Sequence, residues 1–383
     1  MTNPVIYTNG YIYHNGQFIK GGFETENGIF TRIFDRDTQP ESIGAKTVDL
    51  QGAYVIPGLI DIHIHGAAGN DFSYDGREGL KHAAGYLALR GITSYVPTLM
   101  TLPEEESLKA AEKVYLQSQD GPGDGNARIV GLRTEGPFLS LMKAGAQNPE
   151  YMQTPNAALL QKIQQRSGGM LKIVDIAPEI EGALELIGKT SAEYKFSLGH
   201  TAATYEEAVK AFDAGAAHVT HLFNAMNPFH HRKPGLIGAA WDKENVTAEI
   251  IGDGIHIHES VLRTAFKQMK GRICLISDGL CCMGMEEGEY ELTGQKIILK
   301  NGAAYLSDGT IAGAYSDLYS NMLNIISYGI PVKEAIDAVT RIPAGIIGEK
   351  NIGTIEEGKF ADFIICDENL KRREVYIGGN PVR

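Results

Sequence analysis

The sequence predicts an α/β fold: a (β/α)8 barrel of the TIM type, with a small β-sandwich domain built from both chain termini. Three observations carry this. Apolar strand-like runs alternate with helical runs through the middle of the chain. Both ends have a different, hairpin-rich texture. Most of the strand-like runs finish in His, Glu or Asp, as they do where strand ends converge on one catalytic face. At 383 residues the chain exceeds the roughly 250–300 at which a single core stops growing, so a large domain plus a smaller one is expected.

The first 50 residues hold Asn9-Gly10, Asn15-Gly16 and Asn27-Gly28 between short β-rich runs. Asn-Gly between such runs is a strong hairpin signal, so a small antiparallel unit is expected there. The stretch from Gly353 to Asn380 has the same texture. Chain ends often lie close together, which assigns 1–54 and 348–383 to one domain and 55–347 to the barrel. Strand candidates in the barrel are 53–65, 91–99, 127–134, 171–177, 194–199, 217–223, 247–252 and 272–277. Helical runs at 78–90, 103–116, 155–165, 203–213 and 258–269 lie between them, and 315–328 and 332–340 follow. Such alternation is the mark of βα units; a doubly wound open sheet is the alternative. A β-hairpin insertion is expected near 288–312, with turns at Asn301-Gly302 and Asp308-Gly309.

Net charge is −12, and no basic run is present, which argues against nucleic acid as a partner. No apolar run approaches a membrane-spanning length, and Met1-Thr2-Asn3-Pro4-Val5 does not open a signal peptide. The four cysteines, Cys274, Cys281, Cys282 and Cys366, form no Cys-x-x-Cys pair and too few bridges for a disulfide framework. Cytoplasmic residence is the expectation.

The chemistry lies at the strand ends. Pro57-Gly58-Leu59-Ile60-Asp61-Ile62-His63-Ile64-His65 reads as a buried strand whose period of two puts both imidazoles on one side. Such a pair makes a site for a divalent metal, which points to hydrolysis by an activated water. Later strands end at Glu135, His200, His221, His256 and Asp278. Glu135, His200 and His221 have the composition of a catalytic zinc site with one position left open. Two His and one Glu suit Zn²⁺, Fe²⁺, Mn²⁺ or Co²⁺. His63 and His65 offer a second site, giving one or two ions per subunit. Asp278 is the candidate general base and later acid, and His256 polarises the scissile carbonyl or holds substrate. His14, His82 and His258 carry structural readings, and His218, three before His221, faces away from the ligand side of a strand. After strand six, His230-His231-Arg232-Lys233 concentrates positive charge in an acidic chain, and Arg232 suits a phosphate or carboxylate.

These residues resemble the amidohydrolase superfamily and, within it, the N-acetylglucosamine-6-phosphate deacetylase family. The segments that carry the resemblance are 57–66, Glu135-Gly136-Pro137-Phe138, Gly199-His200-Thr201, 221–235, Asp253-Gly254-Ile255-His256 and Asp278. It implies a homodimer acting on a phosphorylated amino sugar, with Arg232 crossing to the neighbouring subunit's site. It also implies sugar-phosphate contacts from Ala146, Gln147, Asn224, Ala225, His231, Arg232, Ile311, Ala312 and Gly313. Three positions depart from the family's pattern. Gln147 stands where the family often has His, Ser277-Asp278-Gly279 where it has Thr-Asp-Ala, and Ala314 where it has Ser. Alternatives are the same amide hydrolysis on N-acetylgalactosamine 6-phosphate or a cyclic amide, and a non-catalytic barrel scaffold.

Overall fold

The structure is a computed structural model that describes residues 4–36, 44–121, 123 and 125–383. The parts of the expected terminal domain at 1–3 and 37–43 therefore lie outside the described residues.

The middle of the chain closes into a barrel. Its parallel strands pair in sequence order: Leu59–Ile64, Ile92–Leu99, Leu132–Phe138, Leu171–Ile176, Lys195–Leu198, His218–Val219, Thr247–Ile251 and Ile273–Ile276. In-order pairing excludes the doubly wound sheet, in which strand order reverses. Each strand is followed by a helix: Arg77–Leu89, Glu104–Ser118, Ala157–Arg166, Ala183–Thr190, Tyr205–Ala214, Gly235–Asp242, Glu259–Gln268 and Leu318–Ser327. Local chemistry starts several of them. Thr204 and Glu207 form a reciprocal capping box, and the Asn156 side chain accepts from the N–H groups of Ala158 and Leu159. Strands covered by helices outside and by core inside are buried almost throughout; every residue of Ile92–Leu99 is buried, Thr93, Ser94 and Thr98 included.

The barrel closes beside the first histidine pair. Asp278 N–H donates to His63 O at 3.0 Å, and the N–H groups of His65 and Gly66 donate to Gly279 O at 2.8 and 3.1 Å. One seam thus carries His63, His65 and Asp278.

The strand expected over 53–65 is two strands. Tyr54–Pro57 belongs to the terminal sheet and Leu59–Ile64 to the barrel. The chain changes sheet at Gly58, where an added Cβ would lie 2.1 Å from Thr93 Oγ1. The strand expected over 217–223 is only His218–Val219. The insertion is an antiparallel meander of Gly288–Leu292, Gln295–Lys300, Ala303–Leu306 and Ile311–Ala314. Its last strand returns to the barrel mouth, where Ala314 N–H donates to Asp278 O at 2.9 Å.

The terminal sheet joins both chain ends. Phe363–Cys366 pairs antiparallel with Tyr54–Pro57 and with Arg372–Ile377. Asn15-Gly16 and Asn27-Gly28 make hairpin turns, with φ of +50°, +78°, +51° and +82°. Asn9-Gly10 does not. It sits in a bulge inside Val5–His14, whose two halves pair with different parallel strands, Lys46–Asp49 and Tyr54–Pro57. The sheet is therefore mostly, but not wholly, antiparallel. It folds back on itself: Phe30 N–H donates to Lys359 O at 2.9 Å and Ala361 N–H to Gly28 O at 2.8 Å. Tyr7, Phe23, Phe30, Phe363 and Tyr376 fill the enclosed core, with Tyr7 stacked on Phe23 at 4.7 Å and Phe363 on Tyr376 at 4.5 Å.

Inside the barrel the core is not purely apolar. Arg133 is wholly buried, as are Asp175 and Glu249. Its guanidinium donates to both Asp175 oxygens at 3.1 and 2.9 Å, to both Glu249 oxygens, and to Ile62 O at 3.2 Å. Removing one member leaves uncompensated buried charge. Arg133→Met is expected to lower unfolding stability by about 3–5 kcal/mol in denaturant titration. A loss under about 1 kcal/mol would show that the two carboxylates do not depend on this cation.

Candidate metal centre and active site

The ligand candidates come together because the chain turns sharply where the strands stop. His200, His221 and Asp278 have φ of +46°, +25° and +51°, a backbone region that costs non-glycine residues energy. At each of these points the strand conformation ends and the side chain is held over the barrel mouth. Gly199 permits one such turn, since a Cβ there would lie 2.5 Å from Thr220 Cβ. Glu135 stands within Leu132–Phe138.

All six side chains meet. Glu135 Oε1 lies 3.1 Å from His200 Nε2 and 3.0 Å from His221 Nε2, and those two nitrogens are 3.2 Å apart. His65 Nε2 is 3.1 Å from Glu135 Oε2 and 3.3 Å from His63 Nε2. His63 Nε2 is 3.3 Å from Glu135 Oε1, and Asp278 Oδ1 lies 3.4 and 3.5 Å from the Nε2 atoms of His63 and His65. Two sets of three ligand atoms result, Glu135/His200/His221 and His63/His65/Glu135, sharing the carboxylate.

The far sides of the rings decide whether these residues fit a metal. His200 Nδ1 lies 2.8 Å from Lys143 O and His65 Nδ1 lies 3.1 Å from Thr98 O. A carbonyl only accepts, so both nitrogens carry the proton. His63 Nδ1 bonds the Glu249 carboxylate at 2.9 Å, which sets the same tautomer. Neutral, all three rings then aim Nε2 lone pairs at the oxygens of Glu135. Acceptors facing acceptors require cations between them, and a divalent metal supplies the charge with the right donor set.

Without metal, protons take that place. Burial works against a charged His65, but bonds to Asp278 and Glu135 outweigh it and raise its pKa to about 9. Burial and Arg133 oppose a charged His63, yet Glu135, Glu249 and Asp278 bring it well above the usual value. His200 is raised against its burial, chiefly by Glu135. Burial disfavours the ionised carboxyls, but the imidazoles prevail: Glu135 falls well below its ordinary value and Asp278 falls to about 2.

A cavity of about 190 Å³ opens over this cluster. It is lined by Ala146, Gln147, Asn224, Ala225, His256, Ile311, Ala312 and Gly313 together with His65, Glu135, His200, His221 and Asp278. The buried Asn224 Nδ2 has no hydrogen-bond partner among the described residues. His256 Nδ1 is bonded to Asp253 Oδ2 at 2.6 Å, which raises the imidazole's pKa against its burial. His231 and Arg232 are not brought to this cavity. Both are exposed, with Arg232 Nη1 2.8 Å from His231 Nε2, and Arg232 lines a separate open groove with His230 and Lys233.

Sequence reasoning missed the layer beneath the ligands. Glu249 bonds His63 Nδ1, His218 Nε2 at 3.1 Å, His221 N–H at 3.3 Å and Arg133. The available signal was charge on otherwise apolar strands: Asp175, Glu249, and Arg133 two residues before Glu135. His218, expected to face away, points into the barrel against Glu249. The period-two argument fails because the chain leaves strand geometry after Val219. The remaining histidines behave as expected: His14 bonds Ile355 O, and His258 caps Glu259–Gln268. Cys281 and Cys282 are buried, and burial pushes their thiols up to about 12 and about 11.

A model of the amidohydrolase family matches residues 54–382. The chain belongs to this family. N-acetylglucosamine-6-phosphate deacetylase of Bacillus subtilis (strain 168) is 36% identical over 389 residues, which is 97% of this chain and 95% of the relative. N-acetylgalactosamine-6-phosphate deacetylase of Escherichia coli O157:H7 is 32% identical over 88% of this chain and 90% of its own length. Among solved structures, a mutant N-acetyl-D-glucosamine-6-phosphate deacetylase from Mycobacterium smegmatis, in complex with N-acetyl-D-glucosamine 6-phosphate, superposes with a TM-score of 0.92 over 100% of both chains, at 27% identity. The N-acetylglucosamine-6-phosphate deacetylase of Pasteurella multocida gives 0.91 over 99% of each chain at 26% identity. This amidohydrolase is thus an enzyme, and the scaffold reading is set aside. No helix among the described residues is long and apolar enough to cross a membrane.

The raised imidazoles define a pH dependence. A metal needs them neutral, whereas His63, His65 and His200 hold protons below their raised pKa values. Metal affinity is therefore expected to rise with pH up to about 9, where His65 gives up its proton. Titrating Zn²⁺ into the metal-free protein at pH 7 in weak buffer should release about one to two protons per ion. Binding without proton release would show that the rings are already neutral.

Proposed function

We propose that this amidohydrolase removes the acetyl group of N-acetylglucosamine 6-phosphate by hydrolysis, giving glucosamine 6-phosphate and acetate in amino-sugar catabolism. One observation carries the reading. The Glu135/His200/His221 cluster and Asp278 share one small cavity with Asn224, Ala225 and His256, in a fold that superposes throughout on a relative holding that sugar phosphate.

The metal ligands in this reading are Glu135, His200 and His221, with His63 and His65 offering a second position through the shared carboxylate. Zn²⁺, Fe²⁺, Mn²⁺ and Co²⁺ all suit the set. When bound, a divalent metal lowers the pKa of a coordinated water and polarises the scissile carbonyl. Asp278 is ionised and open to the cavity, so it takes a proton from the attacking water and passes it to the leaving nitrogen. Asp253 fixes the Nδ1 proton of His256 and favours its charged form, leaving Nε2–H to donate to the acetyl oxygen or the sugar. Asn224 offers its unpartnered amide N–H to the substrate.

The phosphate needs a cation that the cavity of one chain lacks: no Arg or Lys is among its lining residues. Arg232 stands exposed outside it beside His231. Both facts support a homodimer in which Arg232 of each subunit, with His231, completes the neighbour's site. Four buried free cysteines support a reducing, cytoplasmic location.

Two measurements test the reading. Acetate release should be fast from N-acetylglucosamine 6-phosphate and slow from the unphosphorylated sugar. Faster release from N-acetylgalactosamine 6-phosphate would move the assignment to that epimer, the substrate in the name of one relative. Asp278→Asn should lower kcat by roughly 10²–10⁴-fold with metal content unchanged. Turnover near that of the unaltered enzyme would remove Asp278 as acid and base.

A further inference from the structure

Gln147 lines the cavity, yet it has little left to offer a sugar. Its side chain is buried, and its amide oxygen accepts the Thr101 N–H at 2.7 Å. That donor fixes the orientation of the amide, because only the oxygen can accept from an N–H. Its nitrogen therefore donates, and it does so to Glu135 Oε2 at 2.6 Å. The same nitrogen lies 3.5 Å from Met100 Sδ. Thr101 closes the loop from the other side, its hydroxyl donating to Glu135 O at 3.1 Å. Glu135 is thus held at its backbone and at Oε2, while Oε1 is left facing His200 and His221.

We infer that Gln147 is a positioning residue for the metal ligand Glu135 and not a contact of the sugar. A carboxylate with both oxygens loose rotates about its last bond and presents either edge to an ion. An amide pinned at its own oxygen removes that freedom, and being neutral it does so at any pH near neutrality. Outer partners of metal ligands of this kind commonly change metal affinity by 10–100-fold when removed. The inference rests on the hydrolase reading above for its link to catalysis, but not for its link to the metal.

The test uses the full-length protein stripped of metal. Zn²⁺ affinity is measured by competition with a chelator for the unaltered protein, Gln147→Met and Thr101→Val. Gln147→Met keeps length and apolar volume and removes the amide. Thr101→Val cuts the hydroxyl link and keeps the N–H. Gln147→Met should weaken Zn²⁺ binding by about 10–100-fold. Thr101→Val leaves the Gln147 amide in place and should shift affinity by less. If Gln147→Met does not fold, Gln147→Leu removes the same amide and should weaken Zn²⁺ binding alike. With saturating metal, KM for N-acetylglucosamine 6-phosphate should stay within about twofold of the unaltered value while kcat falls. Unchanged Zn²⁺ affinity on loss of the Gln147 amide overturns the inference, as does a tenfold or larger rise in KM with metal binding intact. The affinity arm needs no substrate, so a wrong choice of sugar would fail the acetate assay and leave this result standing.

Discussion

A guanidinium without access to water lies at the centre of the barrel, and the metal centre rests on it. Burying Arg133 costs several kcal/mol unless every donor is met, and here Asp175, Glu249, Thr220 and Ile62 O meet them. The cation in turn permits two buried carboxylates. Burial pushes Glu249 toward the neutral form, but Arg133 keeps it ionised. Ionised, it can hold His63 Nδ1–H and the backbone N–H of His221 together. Strands one, three, four, six and seven are thereby tied through charge as well as through the sheet.

Charge alternates upward through this interior. Arg133 lies below, Glu249 and Asp175 surround it, the imidazoles follow, and Glu135 with Asp278 faces the cavity. Arg133 keeps Glu249 ionised, the imidazoles keep Glu135 and Asp278 ionised, and the top layer ends in lone pairs aimed at a common volume. The backbone contributes as well. His200, His221 and Asp278 sit in left-handed conformations two residues past the ends of their strands. At Asp278 the strain is maintained because the barrel seam and the meander hold both ends of the residue, His63 O accepting its N–H and Ala314 N–H donating to its carbonyl.

The cavity is small and no Arg or Lys lines it, although a chain of net charge −12 is proposed to take a phosphorylated sugar there. Its polar groups, Asn224 and His256, suit the sugar and the acetyl group better than a dianion. The basic cluster His230-His231-Arg232-Lys233 lies on the loop that leads to Gly235–Asp242, and Arg232 lines a groove apart from the cavity. In the proposed homodimer, such a loop would reach the phosphate in the neighbouring subunit's cavity.

Much was legible from residues alone. Strand–helix alternation over a 383-residue chain pointed to βα units and favoured the barrel over a doubly wound sheet, because strands covered on both faces are largely apolar. The pairing order that excludes the open sheet came from the structure. The His, Glu and Asp residues at strand ends determined the metal-centre candidates, because barrel topology brings those ends to one face whatever the details. Hairpin chemistry placed Asn15-Gly16 and Asn27-Gly28 correctly. Where local periodicity stopped applying, only the tertiary structure decided. Asn9-Gly10 became a bulge because two different strands claim the two halves of Val5–His14. His218 turned inward because the sixth strand ends after two residues. The attachment of Gln147 to Glu135, the role of Glu249 and the exclusion of Arg232 from its own cavity depend on distances between residues far apart in sequence. A one-dimensional pattern records which side of a strand a residue takes. It does not record which groups meet across the barrel, and hydrogen bonds and ion pairs are set by that meeting.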